Sequence, residues 1–255
     1  MIVSRFSQLT QVYAALGPGD VFIGQVPQSC LKSAILVDLT QRGVRLLPSA
    51  TAQTLSVSKC AQAYLLRPWM VPHTRVITRR KQLLDALGEY RRQGIATAVT
   101  KQEHQHCGHG VRKWSDLEML YNCMSLDDCH YPFVLQPFYT VAADVRIIVV
   151  GEYWEAYARC NSEGFRKNLA AGGSSRPHTI EEVQRVFCTE IMARGQMPYA
   201  HIDLMITEEG AFYLSEMNLN SGVYGARISR VALDRLKQSR LERLAAEATG
   251  PSPAV

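Results

Sequence analysis

Two short, largely apolar runs with interspersed polar residues, 200–206 and 211–216, lie on either side of the acidic turn Glu208-Glu209-Gly210. That pattern predicts a hairpin. Two further strand-like runs, 144–151 and 153–159, share a tight Gly151-Glu152 turn and predict a second. Shorter strands are expected at 21–24, 44–47, 75–77, 95–101 and 133–136. Helical spacing appears at 29–42, with Leu31, Ala34, Ile35 and Leu39 on one face and Gly43 as the stop. It recurs at 56–67, ended by Pro68, at 80–92, ended by Gly94, and at 115–124. A helix over 179–193 has Thr179 and Glu182 in capping-box spacing. The last helix, 228–249, is amphipathic, with Arg230, Arg235, Lys237, Arg240 and Arg243 on a solvated face and Val231, Leu233, Leu236 and Leu244 packed. Residues 48–54 read as a linker, 102–110 and 161–176 as glycine-bearing loops, and 250–255 as an unstructured tail. Mixed helices and hairpins predict an α+β fold behind a short N-terminal α/β region.

The chain has 255 residues, enough for a sizeable core in one large or two small domains. Its net charge of +5 is not gathered into a basic arm, which argues against nucleic acid and suits an anionic ligand. Seven scattered cysteines give no disulfide framework, and no apolar run is long enough to span a membrane. The start of the chain lacks the pattern of a signal peptide, so a cytoplasmic setting with reduced thiols is expected.

The candidate chemistry starts at the later hairpin. Alternation lets Asp203 on one strand converge with Glu216 and Asn218 at the end of the other. Two carboxylates and an amide oxygen are hard donors, suited to magnesium holding nucleotide phosphates. An ordinary surface hairpin is the alternative. Lys101 ends a strand before a loop with Gly108 and Gly110, where an ammonium and backbone N–H groups could meet a polyphosphate, although no Walker motif is present. The same loop bears His104, His106, Cys107 and His109, and with Cys123, Cys129 and His130 a zinc site is the competing reading. Gln136, Pro137 and Phe138 close a buried strand whose end could read the edge of adenine. Arg146, Arg159, Arg166 and Lys167, with Asn168, supply forks for phosphate or carboxylate.

In this order the pieces resemble the ATP-grasp superfamily, most nearly its branch of ribosomal-protein glutamate ligases and bacterial glutathione synthetases. The similarity covers roughly residues 56–230. It is carried by Ser58-Lys59, Val71-Pro72-His73-Thr74, Lys101 with its loop, Leu135-Gln136-Pro137-Phe138 and Asp144-Val145-Arg146. It continues through Phe165-Arg166-Lys167-Asn168-Leu169-Ala170-Ala171-Gly172-Gly173, His201-Ile202-Asp203-Leu204 and Glu216-Met217-Asn218. The resemblance implies an ATP-grasp fold of two α+β subdomains clasping ATP, over 56–138 and 139–249, behind a short N-terminal domain over 1–55. It implies that Lys59 and Lys101 contact phosphates, that Gln136, Pro137 and Phe138 form the adenine hinge, and that Asp144 and Arg159 border the nucleotide. Arg146, Arg166 and Asn168 would act on the transferred phosphoryl group, and Asp203, Glu216 and Asn218 would hold Mg2+, or Mn2+.

The implied activity is a carboxylate–amine ligase that forms an amide through an acyl-phosphate and releases ADP. Its partners would be a small carboxylate such as an amino acid and an amine acceptor, a peptide or protein included. A nucleotide-binding relative without turnover and a phosphotransferase are the alternatives. The C-terminal helix offers a contact for a second copy. Placed at strand ends facing a cleft, Asp203 and Glu216 are each expected to tolerate alanine with the fold intact and ADP formation abolished.

Overall fold

A computed structural model of the chain describes residues 1–103, 110–127, 130–160 and 174–249. Three sheets organise them. The first is parallel: β1 (Ile2–Val3), β2 (Val21–Ile23) and β3 (Arg45–Leu47), in spatial order β1-β2-β3. It is crossed by α1 (Phe6–Val12) and α2 (Lys32–Gln41). The helix expected over 29–42 is therefore three residues shorter at its start. β1 and α1 are additions, because a two-residue strand and a seven-residue helix carry too little periodicity to read.

Strand alternation sends the two faces of this sheet into different cores. Phe22 and Leu46 join Val3, Leu9, Leu36 and Leu39. Val21, Ile23 and Leu47 instead enter the largest core, together with the five-stranded sheet. The N-terminal region is thus fused to the body of the protein through a shared apolar layer. The expected linker 48–54 is corrected by α3 (Ala50–Leu55), whose N-terminus is capped by the Ser49 hydroxyl accepting from Ala52 N at 3.1 Å. α4 (Lys59–Leu65) follows, capped by Ser58.

The second sheet is antiparallel, in order β4 (Arg75–Ile77), β7 (Phe133–Pro137), β5 (Ala98–Gln102) and β6 (Val111–Trp114). α5 (Arg80–Arg92) and α6 (Leu117–Met124) cover one side of it. β6 falls between the expected 102–110 loop and 115–124 helix, in residues for which no element was expected. On β7, Phe133 and Leu135 point to those helices, whereas Val134 points into the large core. Lys101 pairs with Val134 and so shares the inner side.

The third sheet is antiparallel, in order β10-β9-β8-β11-β12: β10 (Ser174–Pro177), β9 (Tyr153–Cys160), β8 (Val141–Val150), β11 (Tyr199–Thr207) and β12 (Phe212–Asn218). Both expected hairpins form here, and β10 replaces the last part of the expected 161–176 loop. α7 (Glu182–Arg194) begins three residues later than read, because the capping box is made by Glu181 and Gln184 rather than by Thr179 and Glu182. α8 (Arg230–Thr249) closes the described fold. Its packed stripe is Leu233, Lys237, Leu241 and Ala245, while Val231 is 61% and Leu236 38% exposed, so the expected division of this helix is corrected. Among the described residues no helix is long and apolar enough to cross a membrane.

Candidate active site

The inner side of the five-stranded sheet faces Lys101 and the start of α4, and the candidate side chains meet there. Asp203 and Glu216 are cross-strand partners, as are Arg146 and Asp203, and Asp144 and Arg159. Partners in register project to the same face, so the antiparallel pairing of β9, β8, β11 and β12 lines up Arg159, Asp144, Arg146, Asp203 and Glu216. Asn218, two residues beyond Glu216 on β12, falls on that face as well.

Asp203 lies within β11, not at its end, and is 5% exposed. Its carboxylate is chelated by Arg146, with Nε to Oδ1 at 2.7 Å and Nη2 to Oδ2 at 2.8 Å, and it also accepts from Arg159 Nη2 at 2.9 Å. Burial alone would raise its pKa, but the two guanidiniums overcome that and hold the carboxyl well below the usual range. Arg159 donates through Nε to Asp144 Oδ1 at 2.9 Å. Burial outweighs this contact and pushes Asp144 upward, with the Asp203 charge adding to the rise.

Lys59 is the first residue of α4, 9% exposed, with its Nζ 3.9 Å from Glu216 Oε1. Lys101 sends its Nζ to Ser215 O at 3.1 Å. Burial depresses its pKa, against the pull of Glu216, Asp144 and Asp203. Four cations, Lys59, Lys101, Arg146 and Arg159, therefore stand against three carboxylates, Asp144, Asp203 and Glu216. A polyphosphate carrying a divalent cation would bring both the negative charge and the positive charge that this layout calls for.

The remaining candidates separate. Pro137 ends β7, and Phe138 N donates to Thr97 O at 3.0 Å while Lys113 Nζ lies 3.7 Å from the Phe138 ring centroid. The Gln136 side chain is buried and donates to Thr74 Oγ1 at 3.0 Å, which fastens the 71–74 turn to β7. Arg166, Lys167 and Asn168 lie outside the described residues. So do His104, His106, Cys107, His109 and Cys129 of the zinc reading. Among the described residues no three His, Cys, Asp or Glu form a metal-holding group. The Asp203, Glu216 and Asn218 set has only two carboxylates; all its donors are oxygens, which fits Mg2+ sharing phosphate oxygens.

Three groups escaped the sequence reading. Gln62, 2% exposed, docks α4 onto the open edge of β12, donating to Met217 O at 2.8 Å and accepting from Met217 N at 2.9 Å. Glu155 is buried and accepts from Arg227 N at 2.5 Å and Ile228 N at 3.2 Å, pinning the 219–228 segment. Arg146 reaches that segment too, through Nη1 to Gly222 O at 3.2 Å. Lys237 is the third, and its one sequence signal is its place in the i, i+4 stripe with Leu233 and Leu241.

Two α+β lobes with a cationic cleft between antiparallel sheets constitute the ATP-grasp architecture, and solved structures superpose accordingly. D-cycloserine synthetase DcsG matches with a TM-score of 0.63 at 17% identity, over 88% of this chain and 83% of that one. D-alanyl-alanine synthetase A from Vibrio cholerae matches at 0.57 and 14%, over 90% and 76%. The ATP-grasp ligase PsnB, in a complex with Mg and ADP, matches at 0.55 and 17%, over 83% and 67%. Within this class the chain belongs to the RimK-like ATP-grasp domain family, whose model matches residues 56–236. Human N-acetylaspartylglutamate synthase A is 26% identical over 128 residues, which is 49% of this chain and 33% of that protein. The chain thus spans about a third of that relative's length.

Proposed function

We propose that the chain is an ATP-dependent carboxylate–amine ligase. A substrate carboxylate oxygen attacks the γ-phosphorus of ATP, the bond to the β,γ-bridging oxygen breaks, and ADP leaves. The amine then attacks the acyl carbon of the acyl-phosphate, inorganic phosphate departs, and the amine surrenders a proton as the amide forms. The observation that carries this reading is the gathering of Lys59, Lys101, Arg146, Arg159, Asp203 and Glu216 on facing sides of one cleft. Such chemistry needs no nucleophilic side chain, only in-line positioning and neutralisation of charge.

Lys59 and Lys101 hold phosphates, and Gln136, Pro137 and Phe138 border the adenine through the end of β7. Asp203, Glu216 and Asn218 would hold Mg2+, or Mn2+ in its place, and the metal would screen the charge passing between oxygens. Arg146 and Arg159 exchange Asp203 for the phosphoryl group when nucleotide enters. Arg166 and Asn168 are assigned to the same group on the family resemblance. Residues 56–138 and 139–249 form the two lobes, with 1–55 in front. The substrates are a small carboxylate, an amino acid among them, and an amine on a small molecule, peptide or protein, in the cytoplasm.

The test is incubation of purified protein with Mg2+, ATP, pools of amino acids and small carboxylates, and hydroxylamine. ADP together with a hydroxamate from one pool supports the ligase and names the carboxylate. AMP and pyrophosphate, or a stable phosphorylated product with no amine consumed, would refute it.

A further inference from the structure

Among the described residues Lys237 is a buried cation with no acidic partner. It is 5% exposed on the packed stripe of α8, between Leu233 and Leu241. No carboxylate lies within salt-bridge distance of it among the described residues: Asp234, the acid nearest in sequence, is bonded to Arg230 at 3.2 Å. Its ammonium instead meets three neutral acceptors, Leu219 O at 2.7 Å, His201 Nε2 at 3.1 Å and Asn220 Oδ1 at 3.2 Å, and lies 5.0 Å from the centroid of the Tyr199 ring. An apolar side chain of similar length would avoid burying a charge but would leave the Leu219 carbonyl and the Asn220 side chain without this partner.

What the three bonds hold is the end of β12. Glu216 and Asn218 lie on an edge strand, so no neighbouring strand fixes their outer side. Gln62 takes both backbone groups of Met217, and Ser56 Oγ accepts from Leu219 N at 2.9 Å. Immediately beyond Asn218 the chain leaves the sheet, and from there Lys237 holds the Leu219 carbonyl and the Asn220 side chain. Through His201, which pairs with Asn218 across the ladder, it also braces the opposite strand. An amide ligand brings a dipole and no net charge, so it serves a divalent cation only when already aimed.

We propose that Lys237 is a positioning residue for the divalent-cation site, holding Asn218 and Glu216 in ligating orientation through Leu219, Asn220 and His201. This rests on the reading of Asp203, Glu216 and Asn218 as metal ligands. Losing such outer-shell support typically weakens metal binding by about 10–100-fold.

The experiment measures Mn2+ binding to the full chain by electron paramagnetic resonance with ADP present, and ADP binding by calorimetry in EDTA. Lys237→Met is expected to raise the Mn2+ dissociation constant about tenfold or more and to leave metal-free ADP binding unchanged. Asn220→Ala, at an exposed position, is expected to give a smaller rise of the same sign. Leu9→Ala, in the distant N-terminal core, is expected to lower the melting temperature without moving the Mn2+ constant. Unsubstituted protein that binds ADP but no Mn2+ would overturn the metal reading, and the inference with it. Unsubstituted protein that binds Mn2+ beside a folded Lys237→Met with the same constant would overturn the inference alone, as would equal losses of metal-free and metal-dependent binding. If Lys237→Met does not fold, Asn220→Ala decides, and an unmoved Mn2+ constant refutes the proposal.

Discussion

Replacing Asp203 and replacing Glu216 by alanine should have different effects on the fold, although both are assigned to the same metal. Asp203→Ala removes three charge-assisted hydrogen bonds of 2.7–2.9 Å and leaves Arg146, 15% exposed at its side chain, without its chelating partner. Removing one partner of a buried pair costs about 3–5 kcal/mol, since the remaining charge stays desolvated. Arg159 still has Asp144, so the loss falls mainly on Arg146. Glu216 is 32% exposed at its side chain and meets Lys59 only at 3.9 Å, so Glu216→Ala should cost under about 1 kcal/mol. For a chain of this size those values translate to a melting temperature lower by roughly 6–20 °C for Asp203→Ala and by less than about 4 °C for Glu216→Ala. Asp203 lies inside β11 and not at a strand end, so its alanine variant is expected to fold with lower stability than that of Glu216. The assay is thermal and urea unfolding of both variants, of Arg146→Met, and of Arg146→Met/Asp203→Ala, followed by ADP release at a temperature where all are folded. The double variant should be more stable than the sum of the single losses by about 2 kcal/mol. A loss below about 1 kcal/mol for Asp203→Ala, or a coupling near zero, would refute the claim that the Arg146–Asp203 pair supports the sheet.

Three other outcomes follow from the same geometry. Gln62→Leu orphans Met217 N, Met217 O and Leu55 O in a buried setting and should cost about 3 kcal/mol or more, read by urea unfolding. Lys101→Met removes a half-buried ammonium bonded to a neutral carbonyl, so the melting temperature should hold or rise while ATP binding by calorimetry weakens at least about tenfold. Glu155 is driven upward by burial, but the Tyr153 hydroxyl and the Arg227 and Ile228 amides overcome this and depress its pKa below the ordinary 4.5. Its stabilisation is therefore full above pH 4.5 and is lost as pH falls through the lower folded-state value. The stability gap between the unsubstituted protein and Glu155→Gln, about 2–3 kcal/mol at neutral pH, should narrow in acid; a gap that widens below pH 4 would contradict the assignment.

The sequence by itself determined the local elements and the chemistry of the donors. Apolar runs bounded by turn residues marked β8, β9, β11 and β12, and Gly151 and Gly210 marked their turns because both adopt positive φ, 58° and 83°. Alternation was enough to bring Asp203 and Glu216 to one face. The tertiary structure alone decided which charges meet. That Arg146 and Arg159 both reach Asp203 depends on the registers of two strand pairings, β9 with β8 and β8 with β11, and no local pattern encodes these. Lys237 read as a solvated charge, since charge predicts exposure, and Glu155 carried no signal of its own; burying them required partners 17 to 73 residues away in sequence. Gln62 finds its partner 155 residues along the chain, where an unpaired strand edge offers one amide two backbone groups to satisfy. Long-range hydrogen bonds of this kind depend on a single geometry reached only after the sheets pack, and so the support of the site was legible only in three dimensions.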